Sequence, residues 1–385
     1  MGPNDEYLVQ GSKDHTKFWA WEHQQGVGCR FEENETTTAA TAAMDPDEFM
    51  SSRVQSGFQF TPHRLQGKLR AQDGKGSVQD FCEQDDHTSG TTATKETCEY
   101  DMHITPITGW GDDEQGQKST AGWLANYGVF EPHWQVTQSD GRATGYVIWK
   151  GRKYEFQNAP FYAEKNWGGA FPIKWFWCQC NSFNVINNQK VNYHTVIGDT
   201  TKINDDATPQ LSVTAGGGTR KLPLLRSKES LGMVSIHYNG TFYEATPWLG
   251  TMEWEISDWG YWKMTGKCTG GKHKFYAELE AVCDAPGVKL RAPTEKDGMV
   301  YFCRDSFLAE VKLKLSELVW DDDCKDWVVG DLIVEATSSQ AAVEVGGGGG
   351  RWEGKSIMKQ PMKELVRLPY RFANVRKRLA NARRK

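Results

Sequence analysis

Two short stretches restrict what this chain can fold into more than any other. Val234 to Glu244, VSIHYNGTFYE, alternates apolar and polar residues on either side of Asn239-Gly240. That dipeptide accepts the left-handed backbone of a two-residue hairpin, so the stretch predicts two antiparallel strands. Gly145 to Phe156, GYVIWKGRKYEF, repeats the pattern around Lys150-Gly151. Further strands are predicted over Met252 to Met264, Lys272 to Val282, Tyr301 to Val319 and Trp327 to Ala336, and another hairpin over residues 7–31 with Phe18, Trp19 and Trp21. Little in between carries a helical period, so the class is all-β.

The two hairpins head a weak internal repeat. GYVIWKGRKYEFQNAP is followed by EKNWG and KWFWCQC, and VSIHYNGTFYEATPW by ISDWG and YWKMTG. Tyr154 then corresponds to Tyr243, Trp167 to Trp259 and Gly168 to Gly260. Two β units in tandem, each with a Trp-Gly corner before an aromatic strand, predict two barrels. The expected organisation is a first unit over 1–185, a polar insertion over 186–210, a second unit over 211–345, and a glycine linker with a basic tail over 346–385. Residues 34–47 and 72–97 read as surface loops, and Asp45-Pro46 as the start of a short helix.

Gly346 to Gly350 reads as a flexible linker. Beyond it Leu365, Leu368, Phe372, Val375 and Leu379 recur at spacings of three and four. Lys363, Arg367, Arg371, Arg376, Lys377, Arg378, Arg383, Arg384 and Lys385 surround them, and no acid follows Glu364. A short basic amphipathic helix of this kind suits an anionic membrane or lipid-droplet surface; a solvated charged tail is the other reading.

The 385 residues carry a net charge of −5, which argues against nucleic acid as partner. With 25% charged residues and a mean hydropathy of −0.64, no run approaches the ~18 apolar residues of a membrane helix. Nine cysteines at irregular positions, without a CxxC pair, indicate neither a zinc site nor a disulfide framework. The unusual number is the 16 tryptophans, which point to an aromatic-lined cavity. They are densest in Ala159 to Phe183, APFYAEKNWGGAFPIKWFWCQCNSF, where Glu164, Lys165 and Asn166 abut Trp167 and a glycine break. Trp175, Trp177 and Gln179 then alternate with Phe176, Cys178 and Cys180. Polar groups among aromatics suit a charge handled away from water; a core strand entered through a charged turn fits the same residues.

Several long blocks occur here in the order they have in one known family. GPNDEYL (2–8), GWGDDEQGQKSTAGW (109–123), FEPHWQV (130–136), APFYAEKNWGGAFPIKWFWCQCN (159–181), TAGGGTRKLP (214–223), SDWGYWKMT (257–265), LRAPT (290–294), CRDS (303–306) and SSQAAVEVGGG (338–348) resemble plant and algal tocopherol cyclases. The departures are three polar insertions, the basic tail and the start: family members carry a transit peptide and initial strands before the GPND-like block, so the first barrel is expected to lack its opening strands. The resemblance implies closure of the chromanol ring of a phytylbenzoquinol to a tocopherol, with no redox cofactor and no metal, at plastoglobules or thylakoids of plastids. A more distant likeness to carotenoid hydratases implies tandem lipocalin-like, calycin-type barrels.

That chemistry adds a phenol across a trisubstituted alkene. An alkene is a very poor base, so the donor must be a carboxylic acid kept protonated by burial or by a neighbouring like charge. The tertiary carbocation needs π faces and exclusion of water. Glu164 ranks first as the acid, then Asp305, whose neighbour Arg304 would hold it ionised if the two paired, then Asp258. His133 in EPHW is a candidate to receive the phenol proton, imidazole being suited to shuttling. Trp167, Trp175, Trp177, Trp259 and Trp262 are the candidates to line the substrate site. A non-catalytic lipocalin-like carrier of prenylquinols would use the same barrel without a donor. A carbohydrate-binding module fits less well, because the tryptophans alternate within apolar strands.

Overall fold

The computed structural model describes residues 18–20, 27–30, 57–70, 97–111, 117–126, 132–168, 171–188, 210–221, 228–294, 296, 298–358 and 363–367. Two antiparallel sheets make up nearly all of it, as the alternating patterns predict. The expected loop at 34–47, the helix from Asp45, Trp21, most of the insertions at 72–97 and 187–210 and the tail beyond Arg367 lie outside the described residues.

The first sheet is a seven-stranded meander in which each strand pairs with the next. Its strands are β1 (Phe18–Ala20), β2 (Val27–Arg30), β3 (Gly57–Thr61), β4 (Arg64–Arg70), β5 (Thr97–Thr108), β6 (His133–Trp149) and β7 (Arg152–Trp167). The turn from β6 to β7 has φ of 49° at Lys150 and 79° at Gly151, both in the left-handed region that suits the twist of a two-residue hairpin. Met102, Ile104 and Ala143 form its apolar centre with Phe60, Phe161 and Tyr100 packed around them. Beside that small core lie buried Gln59, Gln66, Gln138 and Asp140. They are held by polar contacts: Gln66 to Gln59, Gln138 Nε2 to the Pro62 carbonyl at 2.9 Å, and Arg142 to Asp140 at 2.5 Å. The described residues up to Gly109 and those of Thr137–Glu164 form one compact unit.

The second sheet has twelve strands. They are β8 (Lys174–Cys180), β9 (Asn184–Asn188), β10 (Leu211–Lys221), β11 (Lys228–Tyr238), β12 (Thr241–Ala245), β13 (Gly250–Ile256), β14 (Tyr261–Cys268), β15 (Phe275–Val282), β16 (Val288–Thr294), β17 (Gly298–Asp321), β18 (Asp326–Gly347) and β19 (Trp352–Ser356). The main path runs β12-β11-β10-β8-β18-β17-β15-β14-β13-β19, with β16 beside β17 and β9 beside β18. Strands far apart in that path meet in one core. Phe176 of β8 lies 5.4 Å from Trp254 of β13 and 5.7 Å from Trp352 of β19, ring centre to ring centre. The sheet therefore wraps around its own apolar face. The β11–β12 turn has φ of 47° at Asn239 and 77° at Gly240, as its sequence requires.

The two stretches read as a repeat end in different surroundings. Both Trp-Gly corners exist, with φ of 136° at Gly168 and 89° at Gly260. The first ends the unbroken β7 and precedes β8 in the other sheet; the second joins neighbouring β13 and β14. β8 and β9, which fall at the end of the expected first unit, pair within the twelve-stranded sheet.

The glycine run differs from the expected linker. Gly346 and Gly347 are strand residues of β18, and the chain re-enters the sheet at β19 two residues past Gly350. A short helix follows at 363–367, and it buries Val366 against Leu124 and Trp248 while Leu365 is 51% exposed. The residue that anchors the tail is thus one position away from the expected apolar stripe. Among the described residues no helix is long and apolar enough to cross a membrane.

Candidate active site

On β8 the alternation read from sequence sorts two faces. Phe176, Cys178 and Cys180 enter the apolar core, so Trp175, Trp177 and Gln179 point to the other side. Register then decides what joins them. Trp177 lies opposite Glu344 of β18, which lies opposite Asp305 of β17; Trp175 lies opposite Gly346, which lies opposite Cys303. Two carboxylates thus face each other as a cross-strand pair, an arrangement that costs stability when both are ionised.

The ligand atoms of Cys303, Asp305 and Glu344 lie within 4.8 Å of one another, all partly buried. The Trp175 indole Nε1–H donates to Glu344 Oε1, and the Cys303 thiol donates to Asp305 Oδ1 at 2.9 Å. Burial, Glu344 and Asp305 together push that thiol far above its ordinary range, so it stays protonated. Trp262 Nε1 donates to the main-chain oxygen of Glu344 at 3.2 Å. Trp175 is itself buried, edge-on to Phe171 at 5.1 Å and tilted against Phe302 at 5.6 Å. The same three side chains have the spacing to hold a small cation, which would have to displace the thiol proton.

Arg304 does not occupy this face. Its guanidinium lies over the Trp259 ring, 5.3 Å from the centroid, on the side where the facing Val345 is buried. Adjacent in sequence, Arg304 and Asp305 are separated by the alternation of the strand.

The other expected site residues fall elsewhere. Glu164, near the end of β7, is partly buried and accepts a hydrogen bond from Tyr162 Oη at 2.5 Å. Asp258 is exposed at the β13–β14 corner. His133 is buried at the start of β6. Of the tryptophans, Trp175 and Trp177 border the acid pair. Trp262 is fully buried in the core and reaches the site only through the Glu344 backbone. Trp259 is held by its Nε1 to the Ala285 carbonyl at 2.8 Å and packs edge-on to Trp262 at 5.2 Å. The Trp167 backbone ends β7, and its side chain lies outside the described residues.

Sequence reasoning missed Glu344, Cys303 and Gly346. The signal for Glu344 was present: in AAVEVGG it is the lone acid of an apolar strand end. Gly346 shows its purpose only in three dimensions, because a Cβ there would overlap the Trp175 ring.

The profile of the family described as tocopherol cyclase-like matches residues 1–198 and 201–347. The chain belongs to the tocopherol cyclase-like family. It is similar to the "Probable tocopherol cyclase, chloroplastic" of Oryza sativa subsp. japonica, 37% identical over 368 residues that cover 95% of this chain and 69% of that relative. It is equally similar to the "Tocopherol cyclase, chloroplastic" of Zea mays, 37% identical over 371 residues, 96% of this chain and 69% of that one. All the strands from β1 to β18 fall within or at the edges of the matched residues, and β19 and the terminal helix lie beyond them.

Proposed function

We propose that this protein is a tocopherol cyclase of plastids, with Asp305 as its proton donor. The fold, the family and both curated relatives support the activity; the relatives are named chloroplastic. The observation that carries the choice of donor is Glu344 directly across the strand pair from Asp305. A second carboxylate within 4.8 Å disfavours the ionised form of a carboxyl, which is the direction an alkene demands of its acid. Glu164, first in the sequence ranking, has the opposite setting: a phenolic hydroxyl donating at 2.5 Å stabilises the carboxylate anion.

On this reading a phytylbenzoquinol binds against Trp175 and Trp177. The acid protonates the trisubstituted alkene, the aromatic faces stabilise the tertiary cation, and the ring hydroxyl closes the chromanol. Substrate and product have the same composition, so the reaction is an intramolecular isomerisation that consumes no cofactor. The basic tail is suited to an anionic lipid surface such as that of a plastoglobule, where the quinol would be found; the exposed Leu365 begins its apolar stripe.

The test is incubation of the full chain with a phytylbenzoquinol kept reduced, followed by analysis for chromanol. Asp305→Asn is expected to abolish product and Glu164→Gln to retain it. The reverse pattern would move the donor to Glu164. Binding of quinol with no chromanol from the unmodified protein would leave the non-catalytic carrier.

A further inference from the structure

We infer that the hairpin joining β17 to β18 is the docking surface for this chain's own basic tail, residues 368–385. The hairpin stands out as an arm. β15 pairs with β17 only as far as Glu317, and β9 pairs with β18 only from Val334. Among the described residues, 318–321 find their strand partners only in 326–329. Trp320 lies opposite Trp327 with ring centres 5.7 Å apart, and Val319 lies opposite Val328 on the alternate face. Val319, Trp320 and Val329 are 45, 49 and 55% exposed. A two-stranded hairpin is marginal in water unless another element packs on it, and one that is apolar on both faces suits a partner.

The tip is acidic. Asp321, Asp322, Asp323 and Asp326 surround the single base Lys325. Asp321 serves the turn itself, accepting the N–H groups of Asp323 and Cys324 at 2.7 and 3.2 Å. Lys325 pairs with Asp322 at 3.2 Å, and Lys267 of β14 reaches Asp326 at 3.8 Å. Both carboxylates still face solvent, with side chains 83 and 69% exposed.

The tail departs from the root of this arm. Arg367, at the end of the terminal helix, donates to the Gly270 carbonyl at 3.2 Å in the β14–β15 connection. That connection also holds the arm: the Leu318 N–H donates to the Lys274 carbonyl at 3.1 Å, and Lys267 Nζ, at the end of β14, to the Trp327 carbonyl at 2.9 Å. The 18 residues beyond Arg367 contain seven Lys or Arg and no acid, with Leu368, Phe372, Val375 and Leu379 among them. At helical rise they span ~27 Å, against ~10 Å along the arm from Leu318 to Asp321. Reach, sign of charge and apolar content all match. Lys272 and Lys274 stand at the root, so the attraction for a basic segment lies toward the tip. An anionic lipid surface offers the tail the same sign of charge, but only the arm lies beside its point of departure. Docked there, the tail is withheld from lipid, and the two surfaces compete for it.

Cys324 is exposed at the tip, which allows a direct test with the full chain. A short thiol–amine cross-linker is applied to dilute protein and the linked peptides are identified by mass spectrometry. Cys324 is expected to link to Lys377 of the same chain. The yield should fall about tenfold in Asp322→Arg/Asp323→Arg, which reverses two charges and spares Asp321. Arg376→Glu/Arg378→Glu should lower it as much while leaving the arm untouched, and high salt should lower it in the unmodified protein. Yields unchanged by both charge reversals would mean that the tail only sweeps past the tip, and would overturn the inference. Links formed only between two chains, or only to lysines of the arm and its root, would overturn it as well. Vesicles of phosphatidylcholine with phosphatidylglycerol should suppress the link and pure phosphatidylcholine should not. Chain bound to the anionic vesicles with its link intact would refute the competition. None of these readouts depends on cyclisation.

Discussion

Replacing Gly346 by alanine puts the architecture of this site to a quantitative test. Gly346 lies opposite Trp175, and a methyl group there would fall inside van der Waals contact of the indole atoms Cζ2, Cε2 and Cη2. The ring has little room to move: it is 7% exposed, with Phe171 and Phe302 centred 5.1 and 5.6 Å away. Overpacking of such a site costs about 2 kcal/mol. If the indole turns aside instead, its hydrogen bond to the Glu344 carboxylate is lost, again about 2 kcal/mol. By either route Gly346→Ala should lose about 2 kcal/mol, a sizeable part of the ~5–15 kcal/mol that holds a typical domain. Urea unfolding followed by tryptophan fluorescence should register this as a midpoint about 0.7–1 M lower, for a slope of about 2–3 kcal/mol/M. Gly348→Ala is the matched control, since nothing lies within 4 Å of its Cβ position, and it should leave the midpoint nearly unchanged. Equal midpoints for the two variants would mean that Gly346 is not there to seat Trp175.

Other expectations follow from single features. Gly240→Ala meets no atom within 4 Å but imposes φ of 77° on a residue with a Cβ, so it should cost about 1–2 kcal/mol through the backbone alone. Val366→Asp would bury a charge against Leu124 and Trp248, and proteolysis should then release the chain beyond β19 far faster than in the unmodified protein. Burial, with Glu317 and Tyr238 nearby, pushes the Tyr243 phenol up to about 12. Between pH 10 and 12 the unfolded chain then releases a proton that the folded one keeps, so stability falls as pH rises across that window, and Tyr243→Phe should flatten part of the slope in unfolding measured at each pH. A chelator should leave cyclisation unchanged, because the proposed steps move only protons. Loss of activity restored by a divalent cation would instead place a metal on Cys303, Asp305 and Glu344.

The sequence by itself settled what depends on near neighbours. A period of two marks a strand whatever it packs against, and Asn-Gly or Lys-Gly between two such runs can hardly do other than turn, so the β11–β12 and β6–β7 hairpins are legible in the residues alone. So is the face that Trp175 and Trp177 share. Register is not legible there, because it is fixed by pairing between segments far apart in the chain. Only the pairing of β17 with β18 sets Asp305 across from Glu344, and only the pairing of β18 with β8 sets both beside tryptophans. Glu164 is conspicuous through its near neighbours in the sequence, whereas the Asp305–Glu344 pair exists only through the sheet. The five glycines show the division most plainly. Composition alone makes them a linker, but the tertiary structure makes the first of them the berth of an indole ring.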